Sequence, residues 1–241
     1  MRRIISGWAV WAMAIGVFAG ETVPYKVNGE AFEGYIEKGR ADAPAVLLVH
    51  DWDGLTAYEV KRAGMLAEMG YAVFCVDLFG AGVRPTELAD KQKCMGELSA
   101  DRPRMRALMQ GALEAAEANG LNTGNCVAMG YCFGGTAVLE FARSGAELKG
   151  WATFHGGLAL PEGQDYSNAK GEYLILHSIT DGMAPFSALA EALEKEGLPA
   201  QLISYTEAPH GWTVFGSDRY RKDADEKSWQ RFSEFLKEVL K

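Results

Sequence analysis

The sequence predicts an α/β protein: a single domain on a mostly parallel central sheet of about seven or eight strands, with helices on both faces. Three observations lead there. Short apolar runs such as AVLLVH (Ala45–His50), YAVFCV (Tyr71–Val76) and EYLILH (Glu172–His177) recur along the chain, and each reads as a strand buried on both sides. Longer segments with apolar residues at helical spacing separate them. No linker, internal repeat or low-complexity tract interrupts the 241 residues, a length that one such domain accommodates.

In order along the chain, Phe32–Glu37 and Ala45–His50 are predicted strands. Tyr58–Met69 is a predicted helix, because Val60, Met65, Leu66 and Met69 fall on one face. Tyr71–Val76 is a strand, followed by helices over Thr86–Leu98 and Asp101–Asn119. Asp101-Arg102-Pro103 separates these two, and Pro103 suits a first helical turn, where its missing N–H costs nothing. Strand Asn125–Met129 leads into helix Gly134–Arg143, and strands Gly150–His155 and Glu172–His177 follow. Helix Pro185–Glu196 ends at Gly197, strand Gln201–Thr206 comes next, and helix Asp218–Leu240 closes the chain.

The composition, 48% hydrophobic and 23% charged, supplies a substantial core. A formal net charge of −8 with no basic block argues against nucleic acid or an anionic membrane as partner. The start of the chain differs from the rest. Arg2 and Arg3 precede an uncharged apolar run, Ile4–Phe18, and then the small residues Ala19 and Gly20. A basic start, a short apolar stretch and small residues at its end match a secretory signal peptide over residues 1–19, cleaved after Ala19 or Gly20, with the domain over 21–241. The run is short for a membrane span. The expected location is periplasmic or secreted, with no membrane association after cleavage. The four cysteines are too few and too scattered for a disulfide scaffold, and Cys75 and Cys126 lie in strand-like runs where cysteine acts as a small hydrophobe.

Ligands of open α/β sheets bind beyond the carboxyl ends of the strands, and the unusual residues lie there. Gly130-Tyr131-Cys132-Phe133-Gly134 fits a strand–turn–helix nucleophile elbow, with Cys132 as nucleophile. Side chains at the two glycines would collide with the neighbouring strand and helix. A cysteine nucleophile wants a histidine base, and the base wants an orienting carboxylate. In this kind of fold they follow in the order nucleophile, acid, base. Asp181 lies in the loop HSITDGMAP after one late strand, and His210 in EAPHGW after the last strand. An oxyanion hole would take the backbone N–H of Phe133 and a second N–H from the loop after Ala45–His50, for which Trp52 is the candidate. Read separately, Cys132 is also a buried residue at a glycine-rich corner, Asp181 a turn former, and His210 a loop histidine. Their order and placement carry the functional reading.

These residues resemble the dienelactone hydrolase family, within the α/β-hydrolase fold. The matching landmarks are FEGYI, LLVHDWDGL, YAVFCVDLFG, GYCFGG, FHGG, ITDGM and EAPHGW, spread over about residues 25–240. The resemblance implies a triad of Cys132, His210 and Asp181. It also implies an acidic residue after the first core strand, here Asp51, that helps generate the thiolate. On the substrate side it implies Arg84, in the segment after Asp77-Leu78, while Val214 stands where members acting on dienelactone carry a second arginine. Phe79 and Trp212, with Trp52 and Phe133, would form an aromatic-walled substrate pocket. The activity implied is cofactor-free hydrolysis of a small-molecule ester or lactone by a monomer. The competing reading is a non-catalytic ligand-binding or thiol-redox protein on the same scaffold. A metal site is a poor third, because no pair of residues shows CxxC or HxxxH spacing.

Overall fold

The computed structural model describes residues 20–240, so the expected leader over residues 1–19 lies outside them. Strands and helices alternate in the order β1 (Glu21–Val27), β2 (Glu30–Glu37), β3 (Pro44–Val49), α1 (Ala57–Glu68), β4 (Ala72–Val76), α2 (Leu88–Ala100) and α3 (Arg102–Ala118). Then come β5 (Asn122–Tyr131), α4 (Phe133–Arg143), β6 (Gly150–Phe154), β7 (Glu172–Ser178), α5 (Met183–Lys195), β8 (Ala200–Tyr205) and α6 (Lys222–Val239). The eight strands form one sheet in the order β1-β2-β4-β3-β5-β6-β7-β8. The β1–β2 and β2–β4 pairings are antiparallel and all others parallel.

Alternation along each buried strand sorts side chains into two cores. Ala45, Leu47 and Val49 of β3 face one way, with Phe74, Val76, Cys126 and Ala128, against Met105, Leu108, Phe141, Leu189 and Leu193 from α3, α4 and α5. Val46 and Leu48 face the other way, with Val73, Val127 and Met129, against Ala63 and Leu66 of α1 and Phe232, Phe235 and Leu236 of α6. Local signals set the helix starts. Thr56 and Glu59 form a reciprocal capping box at α1, and Asp101 accepts the Arg104 N–H at α3, where Pro103 lies in the first turn.

The seven strands and six helices expected from the sequence are all present, with ends moved by a few residues. The addition is β1. Its sequence ETVPYKV carries Pro24 and the charged Glu21 and Lys26, and only Val23 and Val27 are buried. Such a strand is stable only at a sheet edge, where one face is wet and a proline lacks no needed donor, so its apolar signal is faint.

The sheet's order reverses at β3, whose neighbours are β4 and β5. The crevice beyond the carboxyl ends of β3 and β5 is therefore the switch point where this architecture receives ligands. The loop after β3 and the turn after β5 face each other there.

Candidate active site

Between β5 and α4 the chain reverses within a single residue, Cys132, at φ 50° and ψ −114°. A side-chain-bearing residue at positive φ is strained and is held there only by its surroundings. The surroundings are the glycines. A Cβ on Gly130 would lie 2.3 Å from the Gly134 carbonyl group, and one on Gly134 would lie 2.4 Å from the Val49 carbonyl oxygen. A Cβ on Gly135 would lie 2.8 Å from the Gly156 Cα, so strand, turn and helix touch through backbone. The Cys132 N–H donates to the Phe154 carbonyl at 3.0 Å, which pins the turn to β6. As the first residue of α4, Phe133 has an N–H with no intrahelical acceptor, and it faces the Cys132 sulfur.

His210 reaches the sulfur from the loop after β8: its Nε2 lies 3.1 Å from Cys132 Sγ. Its Nδ1 lies 2.9 Å from Asp181 Oδ2. The carboxylate accepts there, so Nδ1 carries the hydrogen and Nε2 presents a lone pair to the thiol. Asp181 ends a single 3-10 turn, Ile179–Asp181, behind β7, capped by Ser178, whose hydroxyl also donates to the Ala208 carbonyl and so ties the two loops together. Three side chains separated in sequence thus form one hydrogen-bonded chain.

The electrostatics keep the sulfur protonated. Burial pushes the Cys132 thiol up to about 12, the nearby Asp51 carboxyl pushes the same way, and the Phe133 N–H opposes them. Asp51 is itself buried, and burial with the neighbouring Asp53 and Glu59 raises its carboxyl to about 9. It accepts the Asp53 N–H at 3.0 Å. The Trp52 N–H, between these residues, is bonded to no described residue. His50 fixes the start of the loop: its Nδ1 bonds the Asp51 carbonyl at 2.6 Å and its Nε2 accepts the Leu78 N–H at 3.1 Å.

A cavity of about 550 Å³ opens over the sulfur. Cys132, His210, Asp51 and Trp52 line it, as the sequence implied. Four expected pocket contacts do not, and one of them is Phe133, whose ring is buried against Phe79. Trp212 is fully buried among the residues packed under α6, its indole N–H on Ser228, because Gly211 at φ 83° turns the chain inward just after His210. Phe79 stacks on Phe133, meets the His50 ring at a tilt with centroids 4.6 Å apart, and supports the elbow from behind. Arg84 is consumed by the protein: its guanidinium bonds the carbonyls of Leu55, Val83, Gly80 and Glu33 and pairs with Asp77 at 3.6 Å.

The cavity walls that sequence reading missed are Met95 on α2, His155 after β6, and Arg219 in the loop before α6. Val214, noted only as a missing arginine, is an apolar wall. Met95 was the most legible, since it falls on a predicted helix beside the site. His155 stands behind His210, with ring centroids 5.0 Å apart, and its Nε2 lies 2.9 Å from Thr213 Oγ1. Burial holds it far below the usual histidine range, so it packs there as a neutral ring. Arg219 is exposed, and its guanidinium meets no described residue in an ion pair or hydrogen bond. Among the described residues no group of three or more histidine, cysteine or acidic side chains is placed to hold a metal.

A parallel sheet with a strained elbow, a histidine on the last loop and a carboxylate behind it defines an α/β hydrolase. The chain belongs to the dienelactone hydrolase family, whose model matches residues 32–240. The family makes it a hydrolase acting on ester bonds. A protein of Escherichia coli (strain K12) that carries the provisional name carboxymethylenebutenolidase is 21% identical over 224 residues, covering 88% of this chain and 83% of that one. One of Aquifex aeolicus (strain VF5) with the same provisional name is 28% identical over 134 residues, 54% of this chain and 58% of that one. Among solved structures, one called m3DLH superposes with a TM-score of 0.85 at 29% identity, covering 92% of this chain and 99% of that one. A dienelactone hydrolase-like promiscuous phosphotriesterase from metagenomic libraries also has a TM-score of 0.85, at 25% identity and the same coverage. The acylaminoacyl peptidase of Pyrococcus horikoshii, at 16% identity and a TM-score of 0.72 over 93% of this chain and 42% of that one, shares the fold.

Proposed function

We propose that the protein hydrolyses small carboxylic esters or lactones by covalent thiol catalysis, without a cofactor. The observation that carries this is the continuous chain Cys132–His210–Asp181, with sulfur to nitrogen at 3.1 Å and nitrogen to carboxylate at 2.9 Å.

The thiol is neutral at rest, so proton transfer accompanies attack. Cys132 Sγ bonds to the ester carbonyl carbon while its proton passes to His210 Nε2. The carbonyl oxygen becomes an oxyanion held by the N–H groups of Phe133 and Trp52. Asp181 stabilises the imidazolium through Nδ1–H. Collapse breaks the bond to the leaving oxygen, which takes the proton from Nε2 and departs as alcohol or, in a lactone, as the opened chain's hydroxyl. Water then gives a proton to Nε2 and its oxygen attacks the thioester. The second tetrahedral intermediate expels the sulfur, which regains the proton, and the acid leaves. Asp51 bears on the first step: neutral below about pH 9, it adds no negative charge against thiolate development.

Trp52, Met95 and Val214 favour a compact apolar acyl or alcohol group, and Arg219 at the cavity wall favours a substrate with an anionic substituent. The basic, apolar and small-residue pattern over residues 1–19 supports an exported enzyme, for which a resting neutral thiol resists oxidation.

The test is hydrolysis of a short aryl acetate and a small lactone panel by wild type and Cys132→Ala, with intact-mass detection of the acyl-enzyme. Turnover and an acyl adduct that vanish together in the variant support the mechanism. Equal rates in both proteins remove Cys132 as nucleophile.

A further inference from the structure

The oxyanion donor Trp52 lies on the irregular loop Asp51–Leu55, which has no regular secondary structure to hold it. Two cations from the β4–α2 region grip this loop from outside. Arg84 takes the Leu55 carbonyl at the far end. At the near end, Lys91 of α2 pairs with Asp53 at 3.6 Å and its ammonium stands 5.5 Å from the centre of the Trp52 ring. Asp53 gives its N–H to Asp51, so the Lys91 contact bears on the segment that holds both the acidic residue and the proposed oxyanion donor.

Lys91 is well placed for such a role and poorly explained by packing. Leu98 is the sole buried residue of α2, so the helix gains little from the core. Yet the Lys91 side chain is only 19% exposed, folded down onto Trp52 and Asp53, and Met95 one turn further on lines the cavity. A long side chain surrenders rotamer freedom to lie there, and an ordinary surface ion pair repays little of that.

We propose that Lys91 is a positioning residue: it clamps Asp53 and Trp52 so that the Trp52 N–H is fixed where the oxyanion develops. This rests on the thiol-hydrolase reading. A clamp on an oxyanion donor acts on the transition state, so its loss falls on kcat and leaves substrate binding nearly unchanged.

The experiment compares wild type, Cys132→Ala, Lys91→Met, Lys91→Arg, Asp53→Asn and the Lys91→Met/Asp53→Asn double variant on the best ester found for wild type. Lys91→Met keeps the apolar stem on Trp52 and removes the charge. It is expected to lower kcat about tenfold or more, short of the roughly 100-fold or greater loss caused by deleting an oxyanion donor, with KM within about threefold. Lys91→Arg should recover most of the loss, and the double variant should be no worse than either single one, because both remove the same pair. A folded Lys91→Met enzyme with kcat within twofold of wild type overturns the proposal, as does a rise in KM at constant kcat. Additive effects of the two substitutions overturn the route through Asp53. Absence of any Cys132-dependent turnover in wild type is a separate result, which overturns the hydrolase reading and this inference with it.

Discussion

Cys132 should be a slow thiol, and the slowness can be calculated. Burial, the largest cause, pushes it up to about 12, and Asp51 adds to the rise only where its own carboxyl is ionised, above about pH 9. A free cysteine at about 8.5 is roughly one quarter thiolate at pH 8, whereas a thiol at about 12 is ionised in about one molecule in 10,000, a deficit of about 2,000-fold. The more basic thiolate is the better nucleophile by about 0.4–0.5 decades per pKa unit, which returns about 25- to 55-fold. Alkylation by iodoacetamide should therefore run about 40- to 100-fold slower than for free cysteine at pH 8. The rate should climb with pH without reaching a plateau before about pH 10. Cys75 and Cys126 are fully buried and half-buried Cys94 can be replaced by serine, so Cys94→Ser is the working background and Cys94→Ser/Cys132→Ala the blank. Mass spectrometry of the modified protein against time gives the rate at each pH. A plateau below pH 8, with alkylation at pH 6 faster than that of free cysteine, would refute the reasoning: it would show a resting thiolate–imidazolium pair of the kind found in low-pKa cysteine enzymes.

Other consequences are read with simpler assays. Asp51→Asn should leave alkylation unchanged near pH 7, where the native carboxyl is already neutral. Above about pH 9 the variant should react faster than wild type, since the native group then ionises and holds the proton on sulfur; equal rates at pH 10 would exclude the coupling. Gly134→Ala forces a Cβ to 2.4 Å from the Val49 carbonyl oxygen, an overpacking expected to cost about 3 kcal/mol, or about 6–12 °C in Tm for a chain of this size. An unchanged melting curve would contradict the close elbow. Arg219→Met should lower kcat/KM for a carboxylate-bearing aryl ester and spare its neutral counterpart, with both falling equally if Arg219 only shapes the loop. Glu140 is fully buried, and although burial alone would raise its carboxyl, Arg143 and Arg106 outweigh that and hold it low. Glu140→Gln should cost about 3–5 kcal/mol at neutral pH by leaving Arg143 buried without its partner. Because the folded-state value is depressed, that stabilisation is complete above the unfolded glutamate value of about 4.3 and is lost as pH falls through the lower folded one, which urea melts from pH 7 to 3 would reveal.

What was readable in the sequence follows from where periodicity exists. β3 to β7 are buried on both faces, so apolar runs marked them, whereas β1 has two buried side chains and an internal proline and left almost no mark. The grouping of Cys132, Asp181 and His210 was readable for another reason. Its three residues are assigned by chain order and by which strand each one follows, not by side-chain direction. Cys132, Asp181 and His210 each needed only the correct loop, and the structure brings them within hydrogen-bonding distance. Cavity walls need direction, and an irregular loop has no period to supply it. Trp212 and Val214 both follow His210 closely, yet Trp212 turns into the core and Val214 into the cavity.

The two arginines, Arg84 and Arg219, differ in what surrounds them. Each lies in a polar loop beside the site, and residue type does not separate them. Backbone accounting does. The strand-end loops around Arg84 bring the carbonyls of Leu55 and Val83 together outside any ladder, beside that of Gly80, which the Val83 N–H already takes, and partly buried carbonyls demand donors. A guanidinium with five N–H groups is the side chain that meets several at once, so an arginine in such a place is drawn into the scaffold. Arg219 sits on the surface between short turns whose Gly211, Val214 and Ser217 carbonyls are taken by backbone N–H groups, and no described group competes for the cation. The cation left free at the cavity wall is thus the one whose neighbouring turns are already paired. By the same accounting Lys91, with three donors near one carboxylate and one ring, is committed to the loop that carries Trp52 and not to the substrate.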